Sequence, residues 1–427
     1  MLERNRERGG RLGEDADLRR SALVTKVLPL LRKILSIDGG VFGKSAEFAS
    51  FSSPTALTIT RDPSDEQAGS FVHRLWSRSP RLRVLDILRT LTSADKPLSD
   101  VDDLSAVLIP LTEGTTPLRR DSEGLEPAQS TLTSVETCLR DAARDLAAYE
   151  ENVLPNPMAT LQRIVLLASI SVFYHAATRA REAVQLPRRV LLLDASNAKR
   201  SSIIAEASEA TVTALSADAR AYMARTLREL LAATEGSRRG KKRWMDDPER
   251  AVSEMFKSHL RSKTPPHLKE VVDALEEIEA GGADVEEELP VRLVGILDSS
   301  GGRSLEGFIR LLGVRCGLLY PQQKNPHKRL VPMDRTLEVL VASTFDLSGP
   351  PLEFRDFLEE FYRRWGIVVG GRLEDARLLT AAGTPVPSAE LTENAERFLT
   401  RLESLGLARK MADSVAVVGL MENTDGT

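Results

Sequence analysis

The stretch RFLTRLESLGLARKMADSVAVVGL, residues 397–420, decides how the chain is read. Ala395, Phe398, Leu399, Leu402 and Leu405 recur three and four residues apart, the spacing that gives a helix one apolar face. Gly406 then supplies a stop, since glycine takes the left-handed conformation that ends helices at no steric cost. Leu407 to Met411 and Val415 to Val418 flank Ala412-Asp413-Ser414, the pattern of two short strands around a turn. The expectation is a helix that runs directly into a β-hairpin. Thr392 is expected as the N-cap of that helix, with Glu393 and Glu396 in its first turn, where carboxylates favour the helix dipole.

Working back from this stretch, Phe354 to Trp365 places Phe354, Phe357, Leu358, Phe361 and Trp365 on one helical stripe, and Leu373 to Ala381 forms a second helix. Three helices followed by a two-stranded ribbon resemble a winged-helix domain over residues 351–420. The resemblance rests on apolar spacing and not on invariant chemistry. The expected exposed side of the third helix offers Asn394, Arg397, Thr400 and Arg401, and the wing offers Arg409 and Lys410, residue types suited to phosphate and base contacts. Between Leu352 and Val418, however, nine Arg and Lys face eleven Asp and Glu. An electrostatic footprint on DNA needs a local excess of positive charge, so protein–protein or structural use of the module is the leading expectation.

A second stretch, GFIRLLGVRCGLLYPQQKNPHKRLVPMDRTLEVLVAS at 307–343, together with this ending resembles subunits of bacterial anti-phage defence clusters that discriminate modified DNA. That resemblance implies a context and no catalytic residue.

Composition sets the frame. At 427 residues the chain exceeds what one hydrophobic core usually organises. With 42% hydrophobic and 28% charged residues it is globular in composition, and a net charge of −4 gives no bulk attraction to nucleic acid. Cys138 and Cys316 are too few and too far apart for a disulfide framework or a zinc site, which fits thiols buried in a reducing cytoplasm. The first twenty residues mix arginines with acids and carry no apolar run after a basic one, so no signal peptide is expected. The most apolar run, Ile164 to Tyr174, is about half the ~20 residues needed to span a bilayer and reads as a buried helix.

The fold class expected is mainly α and multidomain, helical bundles with the C-terminal winged-helix (α+β) module. A disordered tail at 1–14 precedes an α-rich domain at 15–111, with a helix–turn–helix rhythm near 80–110 that is itself winged-helix-like. A linker at 112–129 leads to a helical domain at 130–236, with helices near 130–152 and 157–186, a short buried strand within Arg189 to Ser196, and a helix from Ser201 to Thr234. A basic then acidic connector at 237–289 contains helices near 248–262 and 266–280. A small α/β segment at 290–350, opening near Pro290 with a strand from Arg292 to Leu297, precedes the terminal module, and 421–427 is a tail.

Two further basic clusters stand out. Arg238, Arg239, Lys241, Lys242 and Arg243 with Trp244 read as a flexible arm for phosphate, the indole stacking on a base, or as a solvated linker between helices. Lys324, Lys328 and Arg329, with His327, lie among Pro321, Pro326 and Pro332, a loop stiff enough to present charge in a fixed way or to pair with the acids around Glu286.

Catalytic patterns fall short. Asp38-Gly39-Gly40-Val41-Phe42-Gly43-Lys44-Ser45 approaches a phosphate loop but has Asp38 at its first glycine and follows a helix instead of a strand. Asp194, at the end of an apolar run, is its only companion as a metal-holding carboxylate. His73, His175, His259, His267 and His327 show no metal-binding spacing. No catalytic residue, metal or cofactor is assigned. The expected function is a non-enzymatic scaffold or adaptor in a DNA-associated assembly, with other protein subunits and DNA as partners and no membrane. An enzyme using Lys44 and Asp194, a nuclease with an unrecognised site, and a transcriptional regulator are the alternatives.

Overall fold

The computed structural model describes residues 71, 72, 75, 76, 83, 84, 86, 87, 133–153, 156–196, 202–234, 247–250, 252–253, 268–299, 305–322, 327–347, 349–411 and 415–420. The expectations for 1–14, the helix after Asp15, the glycine turn at Asp38 to Ser45, most of 80–110, the linker 112–129, the arm Arg238 to Trp244, Lys324 and 421–427 lie outside those residues. What is described is mainly helical.

Helix α1, Ser134–Asn152, begins with a reciprocal cap: the Thr133 hydroxyl accepts from Glu136 N at 3.2 Å and the Glu136 carboxylate accepts from Thr133 N at 3.0 Å. Leu139, Ala142, Ala143 and Leu146 recur on its buried face. Helix α2, Pro157–Glu182, is apolar on most sides. Its span Ala159–Glu182 is long and apolar enough to cross a membrane by length and composition, although the run singled out by sequence is shorter; 67% of the apolar window is buried within the protein, as in a core helix. Strand β1, Leu191–Leu192, and helix α3, Ile203–Thr234, follow as expected.

The remaining elements are α4, Leu268–Ala280; α5, Val285–Ser299; α6, Leu305–Arg315; β2, Leu319–Tyr320; β3, Arg329–Leu330; α7, Asp334–Ala342; β4, Leu352–Glu353; α8, Phe354–Trp365; β5, Ile367–Val368; α9, Asp375–Ala381; α10, Ser388–Ser404; β6, Ala408–Lys410; and β7, Ala416–Val418. They fall into two compact units, one of 1–175, 190–209 and 312–427, the other of 176–189 and 210–311.

In the first unit β1 and β5 pair in parallel, Leu191 with Ile367 and Leu192 with Val368. A parallel bridge from Leu193 to Leu330 adds β3, which pairs antiparallel with β2. A second sheet is antiparallel, in the order β4-β7-β6. Beside it, Phe354, Phe357 and Phe361 of α8 gather around Phe398 of α10 at centroid distances of 6.0 to 6.5 Å. Helix α8 stops at Gly366, whose φ of 65° is the left-handed turn that glycine accepts freely. The buried Arg364 guanidinium fastens α8 to α1, donating to Asp145 at 2.6 Å and to the Cys138 carbonyl at 3.2 Å. Cys138 is half-buried, its Sγ 2.8 Å from the Arg364 carbonyl, and burial pushes the Cys316 thiol up to about 12.

In the second unit α4 and α5 form a helical hairpin turned by Gly281 and Gly282. Val271, Leu275, Ile278, Leu289, Leu293 and Val294 make its core with Leu227 and Leu231 of α3. Here the sequence expectation fails: Arg292 to Leu297 is helix and not strand, and Pro290 lies inside α5. The run is short, apolar and β-branched, which fits either state. Burial at Leu289, Leu293 and Val294 follows the helical period, and Asp284 caps the first turn by accepting from Glu286 N at 2.9 Å.

Candidate functional site

The side chains singled out from sequence that the structure describes sit on α10, on the β6–β7 ribbon and around the end of β1. Helix α10 starts at Ser388, four residues before the expected cap. Pro387, at φ −60° and ψ 140°, takes the N-cap position, and Thr392 lies inside the helix with its hydroxyl donating to the Ser388 carbonyl at 3.0 Å. Its buried face carries Leu391, Ala395, Phe398, Leu399 and Leu402, as the spacing implies.

Asn394 was expected on the exposed side, and it is 0% exposed. Its amide nitrogen donates to the Leu193 carbonyl at 2.8 Å and to the Val369 carbonyl at 2.7 Å, while its oxygen accepts from Ala195 N at 2.9 Å. One side chain thus satisfies the backbone groups left over where β1 and β5 end, so that α10 closes the carboxyl end of the parallel pair. The approach is tight at Gly370. With φ at +113°, a Cβ there would stand 2.0 Å from the Leu391 carbonyl oxygen.

The exposed stripe of α10 bears Thr392, Glu393, Glu396, Arg397 and Thr400. Arg397 is paired with Glu393 one turn back. Arg401 reaches Asp334 at the start of α7, 2.7 Å away, and donates to the Pro332 carbonyl. Lys410 lies 3.7 Å from Glu403, and Arg409 is exposed with no ion-pair partner among the described residues. Arg397, Arg401 and Lys410, three of the four cations expected to meet DNA, therefore face carboxylates of α10 and α7.

The basic loop after β2 turns inward. Arg329, 5% exposed, donates to Asp194 at 2.7 Å, and Lys328, also 5% exposed, donates to the Pro321 carbonyl. His327 meets Glu209 of α3. Sequence reading expected this loop to present its charge in a fixed way; Lys328 and Arg329 are instead buried on partners of their own unit, Arg329 with its carboxylate as a pair. Asp194, 1% exposed, also accepts from the Ser196 N–H and hydroxyl. Its oxygens are engaged in holding the turn after β1.

A further polar cluster follows β5. Arg372 donates to Asp375 at 2.9 Å and lies 4.1 Å over the Tyr362 ring. Its Nη1 is 2.9 Å from Glu359 but without hydrogen-bond alignment. Burial raises the Asp375 carboxyl above the ordinary carboxylate range against the opposing pull of Arg372.

No family model, no curated protein and no solved structure matches this chain.

What the site does must therefore come from its geometry. Sequence reading missed two structural groups in it: Asn394, read as a surface residue by residue type, and Ser208, whose buried hydroxyl donates to the Leu192 carbonyl at 2.7 Å and accepts from Leu330 N at 3.0 Å, tying β1 to β3. Asn394 alone had a usable cue. It falls one residue before Ala395 and three after Leu391, inside the apolar arc of its own helix.

Proposed function

We propose that this chain is a scaffold or adaptor subunit of a DNA-associated multiprotein assembly, of the kind that prokaryotic anti-phage defence employs, and that its C-terminal elements act as a winged-helix-like module docking on a partner subunit. The order α7, β4, α8, α10, β6, β7 with the sheet arranged β4-β7-β6 supports this reading. In this reading α7 is the first helix, β4 the first strand, α8 and α10 the second and third helices and β6–β7 the wing, with β5–α9 inserted between the second and third helices. The assignment sets that first helix earlier in the chain than Phe354.

The observation that carries the protein-docking choice is the charge on α10. Its exposed stripe holds Glu393 and Glu396 against Arg397, and Arg397, Arg401 and Lys410 each face a carboxylate. Phosphate contact would bring that surface, carboxylates included, against a polyanion, and like charge across an interface suppresses binding. A protein partner with basic side chains complements it.

The test is a duplex-binding titration at two salt concentrations with the full chain and the variant R397A/R401A/R409A/K410A. The expected result is the same affinity and the same salt slope for both. If all four cations sat on phosphates, their removal would flatten the slope by about 3.6, and that outcome would overturn the docking assignment. In parallel, Glu393→Lys with Glu396→Lys is expected to lose subunits that co-purify with the tagged chain, with duplex affinity no weaker than before.

A further inference from the structure

The antiparallel sheet of the C-terminal elements ends on β6, and the register of the ribbon fixes which of its backbone groups are already used. Gly419 N donates to the Leu407 carbonyl at 3.1 Å and Met411 N to the Val415 carbonyl at 2.7 Å, and Arg409 stands opposite Val417, midway between these two pairs. Leu407, Arg409 and Met411 therefore turn their N–H and C=O groups toward β7, while Ala408 and Lys410, which alternate with them, turn theirs away from it. Strand β7 is the central strand of the order β4-β7-β6, so no strand of that sheet pairs with the outer side of β6. Among the described residues no hydrogen bond reaches the backbone of Ala408 or Lys410 from that side. Ala408 is buried at the root of the ribbon and Lys410 is exposed, so the open stretch centres on Lys410.

Successive residues of a strand point to opposite faces, so Arg409 and Met411 share one face of the ribbon. Arg409 is exposed and has no ion-pair partner among the described residues. Met411 is 41% exposed, and Val415, its neighbour across the ribbon, is 37% exposed. An apolar pair and an uncompensated guanidinium thus lie beside a hydrogen-bonding edge. Two copies of β6 paired about Arg409 or about Lys410 would set like charges directly opposite each other, which is destabilising. A strand that carries a carboxylate meets no such penalty.

We infer that β6 accepts an extended segment of a partner subunit as an added antiparallel strand, with a carboxylate opposite Arg409 and an apolar side chain opposite Met411. The inference rests on the reading of these elements as a docking module, and it names what the ribbon docks. Lys410 exchanges both of its outward backbone bonds with one residue of the incoming strand. The residues on either side of that one lie opposite Arg409 and Met411 in non-hydrogen-bonded pairs, where Cα atoms stand about 4.5 Å apart and side chains touch. The antiparallel direction then fixes the order in the partner: an apolar residue, any residue, an acidic residue. Main-chain bonds supply the affinity, and the alternate side chains supply the choice of sequence.

The experiment is fluorescence anisotropy of a labelled peptide, Ser-Thr-Val-Thr-Glu-Thr-Ser, titrated with the full chain. Binding is expected, and replacing the peptide's glutamate by lysine is expected to weaken it about two- to fivefold. Arg409→Glu is expected to invert that preference, so that the lysine peptide binds better, which a structural role for Arg409 alone would not produce. Lys410→Pro removes an outward N–H and leaves the bonds to β7 in place. With circular dichroism unchanged, it is expected to weaken both peptides about tenfold or more. If neither peptide binds at about 0.5 mM chain, or if the proline variant binds as the wild type does, the inference fails while the docking assignment of α10 stands on its own test. A wild-type dimer that Arg409→Glu or Lys410→Pro renders monomeric in light scattering would place a second copy on this edge and overturn the partner strand. If unlabelled duplex displaces the peptide, and Arg409→Glu abolishes duplex binding, DNA holds the ribbon and the docking reading fails with the inference.

Discussion

Asn394 shows what one polar residue does in an apolar setting. Its three hydrogen bonds end on backbone groups of Leu193, Ala195 and Val369 that no strand continues to pair. Asn394→Ala would leave one buried donor and two buried acceptors without that partner. The expected loss is about 2 to 4 kcal/mol, read as a lower midpoint in urea unfolding. Asn394→Asp should be about as damaging, because a carboxylate can accept from Ala195 N but cannot donate to two carbonyls. A variant as stable as the wild type would mean that the side chain is not the clasp described. Sequence reading placed Asn394 among DNA contacts because residue type alone does not tell an exposed amide from a buried one. Arg329 went astray for a similar reason: its carboxylate, Asp194, lies far away in the chain, and only folding brings the two together.

At the level of elements the sequence was most legible where a period ran for several turns. Phe354–Trp365 coincides with its expected bounds, and α1, α2, α3 and the β6–β7 ribbon fall where spacing and turn residues put them. Short apolar runs were ambiguous. Arg292 to Leu297 fits a strand by composition and became the second half of α5, because Leu289, Leu293 and Val294 must face the core shared with α3 and α4. This assignment has a direct test at Gly295, which is exposed and where an added Cβ would meet nothing within 4 Å. In a helix interior Gly295→Ala is expected to raise stability by about 0.5 to 1 kcal/mol, seen as a higher urea midpoint, whereas alanine is a poor strand former and would bring no such gain there.

The whole molecule departs from a chain of beads. The C-terminal elements share a compact unit with 190–209 and with α1. Leu391 and Val368 pack with Leu192, Ile204 and Ala207, and Arg364 is buried on Asp145 and on the Thr344 carbonyl. A fragment of 351–420 would expose these apolar faces to water and lose the Asp145, Cys138 and Thr344 partners of Arg364. It is expected to show no cooperative thermal unfolding by circular dichroism, whereas the full chain does. A sharp transition in the fragment would establish it as a free-standing domain. The helical character, the ends of the periodic helices and the terminal ribbon are legible from residue order, because these depend on neighbours within a few residues. Which charges are neutralised was decided by the tertiary structure alone, since Arg181, Arg189 and Asp218, like Arg329 and Asp194, meet only when distant segments pack, and Coulomb energy depends on distance in space, which position along the chain does not fix.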